Sequence, residues 1–422
     1  MIKKIKKFLK VLGPGFITGA SDDDPSGIGT YSQTGAQFGY SQLWTSLFSF
    51  PFMTVIQEIC GRIGMVTGKG IAVIVKDHYG RSILFLSVGL LLLANTINIG
   101  ADLGAMASAG QLVFHLPFVF WLLFMTVTTL LLEIFVPYPT YAKILKYLTF
   151  SLFAYFFVAF IVKQDWKAIA FATIIPSFSF TKEYLMNIVA VFGTSISPYL
   201  FFWQADEEVE EEIVHHRLKA MGKGVPKVLK RDIRDMRLDT IIGMFFSQLV
   251  MFFIIVTTAS TLFAHGITNI TTADQAASAL RPFAGDFAFL LFALGIIGTG
   301  FLAVPVLAGA AAYAVSETFH WKEGLGRKLK QAYGFYGVIA VATLVGLLVN
   351  FTGIKPFQML YYTAVVNGII APPLMIVLMF IGNNKKIMGE HTNSRFSNIF
   401  GWIITVFMGL SALALLYSFV RK

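Results

Sequence analysis

The feature that most constrains this chain is a series of long, continuous apolar runs. A membrane-spanning helix needs about 20 mainly apolar residues. Such runs lie near residues 11–39, 43–66, 82–107, 118–136, 144–162, 184–212, 238–264, 286–316, 332–350, 357–381 and 397–419. They predict an all-α integral membrane protein with about eleven transmembrane helices. A β-barrel does not fit, because the runs are continuous rather than alternating. Only 13% of residues are charged and mean hydropathy is +0.70, whereas a soluble domain is about 25% charged. The largest loop, roughly 205–237, is too short for a second domain. Residues 1–422 therefore read as one transmembrane domain.

The net charge of +10 reflects orientation in a bilayer, and no nucleic-acid partner is expected. With the N-terminus inside, about 26 of the 33 basic residues fall on inner segments. These include Lys3 to Lys10, Lys143, Lys146 and the run from Arg217 to Arg237. The expectation is a multi-pass protein of the cell membrane, with a cytoplasmic N-terminus and an external C-terminus. Cys60 is the single cysteine, so no intrachain disulfide forms. A monomer is carried as the expected state.

Two of the runs are interrupted. In the first, Gly13-Pro14-Gly15 leads into Ser21-Asp22-Asp23-Asp24-Pro25-Ser26-Gly27. Proline breaks a helix, and charges at membrane depth are costly unless they line a wet cavity or hold an ion. In the sixth, Gly193-Thr194-Ser195-Ile196-Ser197-Pro198-Tyr199 repeats the pattern. Two broken helices, five spans apart, predict two inverted five-helix repeats, about 11–162 and 184–381, with an extra helix near 397–419. Freed carbonyls at both breaks would meet near the midplane and coordinate a cation. The bland alternative is a pair of proline kinks with the aspartates at a water interface.

Other polar groups are read with both roles in view. Asn95, Asn98 and Asp102 share one face of the third span, as an ion or proton route or as an interhelical seam. Glu58 precedes Arg62 by four residues, which favours a local ion pair. Glu133 is expected to reach the interface. Asn367 would offer an amide oxygen to an ion or make a helix contact. The acidic cluster from Asp206 to Glu212 reads mainly as a solvated face that pairs with the basic loop after it; a cation-attracting vestibule is the weaker option. No HExxH, P-loop or nucleophile-elbow pattern is present, and an enzyme is not expected.

At the breaks the sequence resembles the Nramp family of divalent-metal transporters. GPGFITGASDDDPSGIGTYSQTGAQFGY is similar to that family's first-span region with its D-P-G-N motif. IQEICGRIGMVTGKG is similar to its second-span segment, GTSISPYLFFWQA stands in the place of its A-x-x-M-P-H motif, and LFALGIIGTGFLAVPVLAGAAAYAVSETF follows its eighth span. The resemblance covers most of residues 10–320 and implies a LeuT-type fold with a midplane metal site. It carries the family's aspartate and proline onto Asp24 and Pro25. The following glycine becomes Ser26, the asparagine ligand becomes Gly27 and the methionine ligand becomes Ser197. The two sixth-span histidines become Tyr199 and Gln204. The third-span aspartate of the proton route is matched by Asp102, but the glutamate three residues on becomes Ala105. The ninth span has no arginine where the family has a basic pair. These departures resemble the divergent, magnesium-transporting relatives of the family.

The resemblance implies a metal site built from Asp24, backbone carbonyls near Ser21 and Thr194, the Ser197 hydroxyl and Asn367, with space opened at Gly27. Asp102, Asn98, Glu58 and Asp23 would line an ion or proton route. A thioether favours transition metals, whereas an all-oxygen site with water suits Mg²⁺. The expected activity is alternating-access uptake of partly hydrated Mg²⁺, and also Mn²⁺, without proton coupling and without a cofactor. The rivals are a proton-coupled Mn²⁺/Fe²⁺ carrier, a sodium-coupled amino-acid carrier of the same fold, and an intramembrane aspartyl protease using Asp24 and Asp102.

Overall fold

The computed structural model describes residues 13–136 and 152–420. Lys3, Lys4, Lys6, Lys7, Lys10, Lys143, Lys146, Arg421, Lys422 and the first part of the fifth expected span lie outside them. The described chain is helical. The first run forms α1 (Pro14–Asp22) and α2 (Pro25–Phe38), followed by α3 (Trp44–Thr67) and α4 (Ile71–His78). Next come α5 (Arg81–Phe114), α6 (Phe118–Phe135), α7 (Phe153–Ile161) and α8 (Trp166–Ile174). The second broken run forms α9 (Lys182–Ser195) and α10 (Pro198–Val214). The chain continues as α11 (Lys230–Thr261), α12 (Ala288–Phe319), α13 (Tyr333–Val349), α14 (Pro356–Asn383) and α15 (Arg395–Val420).

Among the described residues, seven helices are long and apolar enough to cross a membrane, counting α9 with α10 as one. The other expected spans are α1 with α2, α3, α7 and α13, each shorter or more polar. Left-handed glycines end the helices where the sequence turns: Gly39 follows α2 at φ 56° and Gly68 follows α3 at φ 64°. Phe120, Phe124, Val127 and Leu131 on α6, and Leu410, Leu413 and Tyr417 on α15, are exposed apolar side chains suited to lipid.

Small residues bring the broken helices against their neighbours. A β-carbon on Gly15 would stand 2.7 Å from the Thr240 nitrogen, and one on Gly19 would overlap the Gly243 backbone. This four-residue glycine spacing lets α1 lie on α11 backbone to backbone. In the same way Gly64 of α3 meets the Ala205 backbone of α10, and Gly193 of α9 meets Gly368 of α14.

Two expectations change with the packing. Glu133 does not reach the interface; it is buried on α6 and neither carboxylate oxygen has a hydrogen-bond partner. Asp206, Glu208 and Glu212 are buried rather than on a solvated face, because α10 packs against α3 and α12 along that side. Glu212 still pairs with the loop as expected, to Arg217 at 3.1 Å. Glu58 makes its local pair with Arg62 at 2.9 Å and a second with Arg237 at 2.7 Å.

Candidate metal site

The site is the junction of the two breaks. α1 ends as Asp23 leaves helical geometry (φ −82°, ψ 44°), and Asp24 is extended (φ −65°, ψ 169°). Pro25 opens α2 at the one helical position where a missing N–H costs nothing. Asp24 Oδ1 caps α2 by accepting the Gly27 N–H at 2.6 Å, and Oδ2 accepts from Asn98 Nδ2 at 2.9 Å. A carboxylate at a helix N-terminus is favoured by the helix dipole, and here it is also buried.

The second break mirrors the first. Ile196 (φ −121°, ψ 60°) and extended Ser197 precede Pro198. The Ser197 hydroxyl lies 2.7 Å from the Thr194 carbonyl and 2.8 Å from that of Gly193, so its proton points back at α9 and its lone pairs stay available. The breaks are stitched together reciprocally. Tyr199 of α10 donates to the Ser21 carbonyl of α1 at 3.0 Å, and Tyr31 of α2 meets the Ser195 hydroxyl of α9 at 3.1 Å.

Around this junction several buried acceptors lack a well-formed hydrogen bond. Asp102, fully buried, lies beside the Ser26 N–H with neither carboxylate oxygen in a well-formed hydrogen bond, and its charge faces that of Asp24. The Asn98 Oδ1 and Asp22 Oδ1 atoms are likewise unpartnered. Buried acceptors are normally satisfied, and a cation satisfies several at once. Asp22 Oδ2 accepts from Ser247 at 2.5 Å, and Asp23 Oδ1 takes a longer contact of 3.4 Å from the same hydroxyl.

Several expected residues sit differently. The space beside Gly27 is narrow: a β-carbon there would stand 3.0 Å from the Asp22 carbonyl oxygen and 3.4 Å from the Tyr31 ring. Asn95 donates to the Leu307 carbonyl at 2.8 Å, which is the seam role. Glu58, between two arginines, belongs to an ion cluster rather than an open route. Asn367 is buried beside the Gly193–Gly368 crossing. Ser247, Tyr31 and the bridging role of Tyr199 had no local signal, since their partners lie 164 to 225 residues away. The triple aspartate was the available signal for Asp22.

A cleft of about 200 Å³ lies along α2, lined by Gly29, Gln33, Gln37, Asn269 and Tyr361. α1 packs against α11. The Gly13 and Gly15 N–H groups donate to the two Asp239 oxygens at 2.9 and 2.8 Å, so Asp239 caps α1 from another helix. Hydrogen bonds to a charged group are worth roughly 1.5–3 kcal/mol each. Asp239→Ala is therefore expected to loosen α1 by about 3 kcal/mol or more, seen as a lower unfolding temperature in detergent. Asp239→Asn, which keeps one acceptor, should recover part of the loss. An unchanged unfolding temperature in Asp239→Ala would show that the cap does not hold α1.

Comparison with known proteins gives the family and the fold. The sequence model of the Nramp family (natural resistance-associated macrophage protein-like) matches residues 15–418. The divalent metal cation transporter MntH of Caldanaerobacter subterraneus is 25% identical over 422 residues, covering 98% of this chain and 94% of that protein. MntH of Klebsiella pneumoniae is 25% identical over 410 residues, covering 95% and 92%. The crystal structure of the Eremococcus coleocola manganese transporter superposes with a TM-score of 0.76 at 16% identity, covering 97% of this chain and 86% of that one. Inward-facing Mhp1 superposes at 0.56 with 11% identity, covering 97% and 91%. With the family's pattern running through nearly all of its length, the chain belongs to the Nramp family, and it is a multi-pass membrane transporter rather than an enzyme.

Proposed function

We propose that the protein carries divalent metal cations through the junction of its broken helices, accepting Mg²⁺ as well as Mn²⁺, without proton coupling. The observation that carries this reading is the donor set. Asp24, Asp102, Asp22, Asn98 and the serine and carbonyl oxygens around them supply oxygen alone. Hard oxygen ligands suit Mg²⁺, which is commonly held through one or two carboxylates with water completing the shell. Tyr199 and Gln204 are buried where a proton relay would want imidazoles.

The same reading takes the chain as two inverted halves with the N-terminal side cytoplasmic. The reciprocal tyrosine contacts support the two inverted halves. So does the packing, in which α1 lies on α11 while α10 lies on α3, each broken helix against the second span of the other half. Entry is then driven by the membrane potential, at roughly 4.6 kcal/mol per 100 mV for a divalent ion.

The test is metal uptake into proteoliposomes at clamped potential, with a Mg²⁺ indicator and a pH-sensitive dye inside. Mg²⁺ entry with no internal acidification is expected. Mn²⁺ entry with acidification that disappears in Asp102→Asn, and no Mg²⁺ entry, would replace this reading with a proton-coupled manganese carrier.

Selectivity gives a second check. Ser197→Met with Gly27→Asn introduces a soft sulfur and an amide oxygen. The double variant is expected to bind Cd²⁺ at least about tenfold more tightly relative to Mg²⁺. The Asp22 carbonyl, 3.0 Å from a β-carbon at Gly27, must give by a few tenths of an ångström to admit it, whereas the Tyr31 ring at 3.4 Å is in ordinary contact. Unchanged relative affinity in a titration would show that Ser197 does not face the ion.

A further inference from the structure

Away from the junction, midway along α10 and near the end of α12, two buried carboxylates face one another without a counter-charge. Asp206 of α10 is fully buried and neither of its oxygens has a hydrogen-bond partner. Glu317 of α12 is 2% exposed. Its Oε2 accepts the Ala72 and Val73 N–H groups at 3.1 and 3.3 Å, capping α4; the Gly70 N–H also lies beside the carboxylate, and Oε1 makes no well-formed hydrogen bond. A β-carbon on Gly70 would overlap both Asp206 Oδ1 and Glu317 Oε1, so these two oxygens lie within about 4 Å of each other across the Gly70 backbone.

Nearby cations are engaged elsewhere. Lys69 pairs with Asp77 at 2.8 Å, and Lys76 reaches the Thr318 carbonyl at 2.7 Å. Among the described residues no lysine or arginine forms an ion pair with Asp206 or Glu317. Further negative charge surrounds Asp206, from Glu323, Glu207 and Glu210. Burial, and then Glu317 and Glu210, push the Glu323 carboxyl up to about 9 against the opposing charge of Arg327, which faces Glu323 and Glu210.

Two facing, desolvated carboxylates of this kind repel strongly unless something neutralises them. We propose that Asp206 and Glu317 form a second binding site, for one small hard divalent cation, separate from the junction of the broken helices. Among the described residues no group of three or more His, Cys, Asp or Glu side chains is set to hold a metal. The site is thus a two-carboxylate one, with oxygen donors only, completed by water as Mg²⁺ commonly is. Gly70 carries regular backbone angles (φ −72°, ψ 170°), so its lack of a side chain serves the space between the oxygens rather than the turn. An ion there joins α10, α12 and the start of α4, and holds this part of the second broken helix in the position observed.

The experiment counts ions. Full-length protein in detergent is dialysed against Mn²⁺, and bound metal per chain is read by electron paramagnetic resonance. Wild type is expected to hold two ions, and Asp206→Asn with Glu317→Gln one. Gly70→Ala is also expected to hold one, because its methyl group fills the gap without removing charge. Each is repeated in an Asp24→Ala background, so that loss of the junction ion and loss of this one are read separately. In that background the count should fall from one to zero on adding either change. If Gly70→Ala and the carboxylate variant both keep the parental count, whichever background is used, the site does not exist and the pair merely shares a proton. If the carboxylate variant does not fold, the Gly70→Ala count alone decides.

Discussion

Asp24→Ala is expected to abolish divalent metal uptake while leaving the protein folded. Asp24 is the charged group placed at the start of α2, with one oxygen held by the Gly27 N–H and the other by Asn98. Those bonds orient the carboxylate before any ion arrives, and the remaining lone pairs face a region rich in unpartnered acceptors. Losing the charge in a buried site should weaken binding by about 100-fold or more, or roughly 3 kcal/mol. Alanine also removes a helix cap, at a cost of about 1 kcal/mol. Asp24→Asn separates the two effects, since it keeps a capping oxygen and loses the charge. Both variants should fail in proteoliposome uptake, and only alanine should lower thermal stability noticeably. Wild-type uptake in Asp24→Ala, with loss in Asp22→Ala, would move the ion to the carboxylate held by Ser247.

The second large effect is expected at Gly19. α1 closes on α11 at a point where a β-carbon on Gly19 would overlap the Gly243 backbone. Backbone cannot yield as a flexible side chain can, and overpacking of this kind costs about 1–3 kcal/mol or more. Gly19→Val should therefore hold α1 off α11 and leave that side of the junction open. Transport needs both sides to close in turn, so uptake should fall at least about tenfold, a barrier change near 1.4 kcal/mol. Accessibility gives the direct readout. Cys60 is buried, so a cysteine introduced at Thr18, itself fully buried, reports on this contact. Thr18→Cys should resist a membrane-impermeant maleimide alone and react quickly when combined with Gly19→Val. Equal labelling in the two proteins, with uptake retained, would show that the Gly19–Gly243 contact is not what closes this face.

Much of the architecture is written in short stretches of sequence. Continuous apolar runs require helices, because in lipid each backbone group must be satisfied within its own segment. The breaks at Asp24-Pro25 and Ser197-Pro198 are equally local: proline removes a donor and clashes with the preceding turn, wherever the helix is placed. Glu58 with Arg62 one turn on follows from spacing alone. What the residues face is a different matter. Glu58 gains Arg237 from 179 positions away, and Asp22 gains Ser247 from 225. Asn95 is spent on the Leu307 carbonyl while Asn98, three residues on, reaches Asp24. The acidic stretch after Gln204 has the composition of a solvated face, yet Asp206 and Glu208 are buried because α3 and α12 cover that side of α10. Local chemistry sets where a helix starts, bends and stops, since those costs are incurred within one or two turns. Burial and partnership are set by which helices meet, and in this chain close glycine contacts between distant segments made that choice.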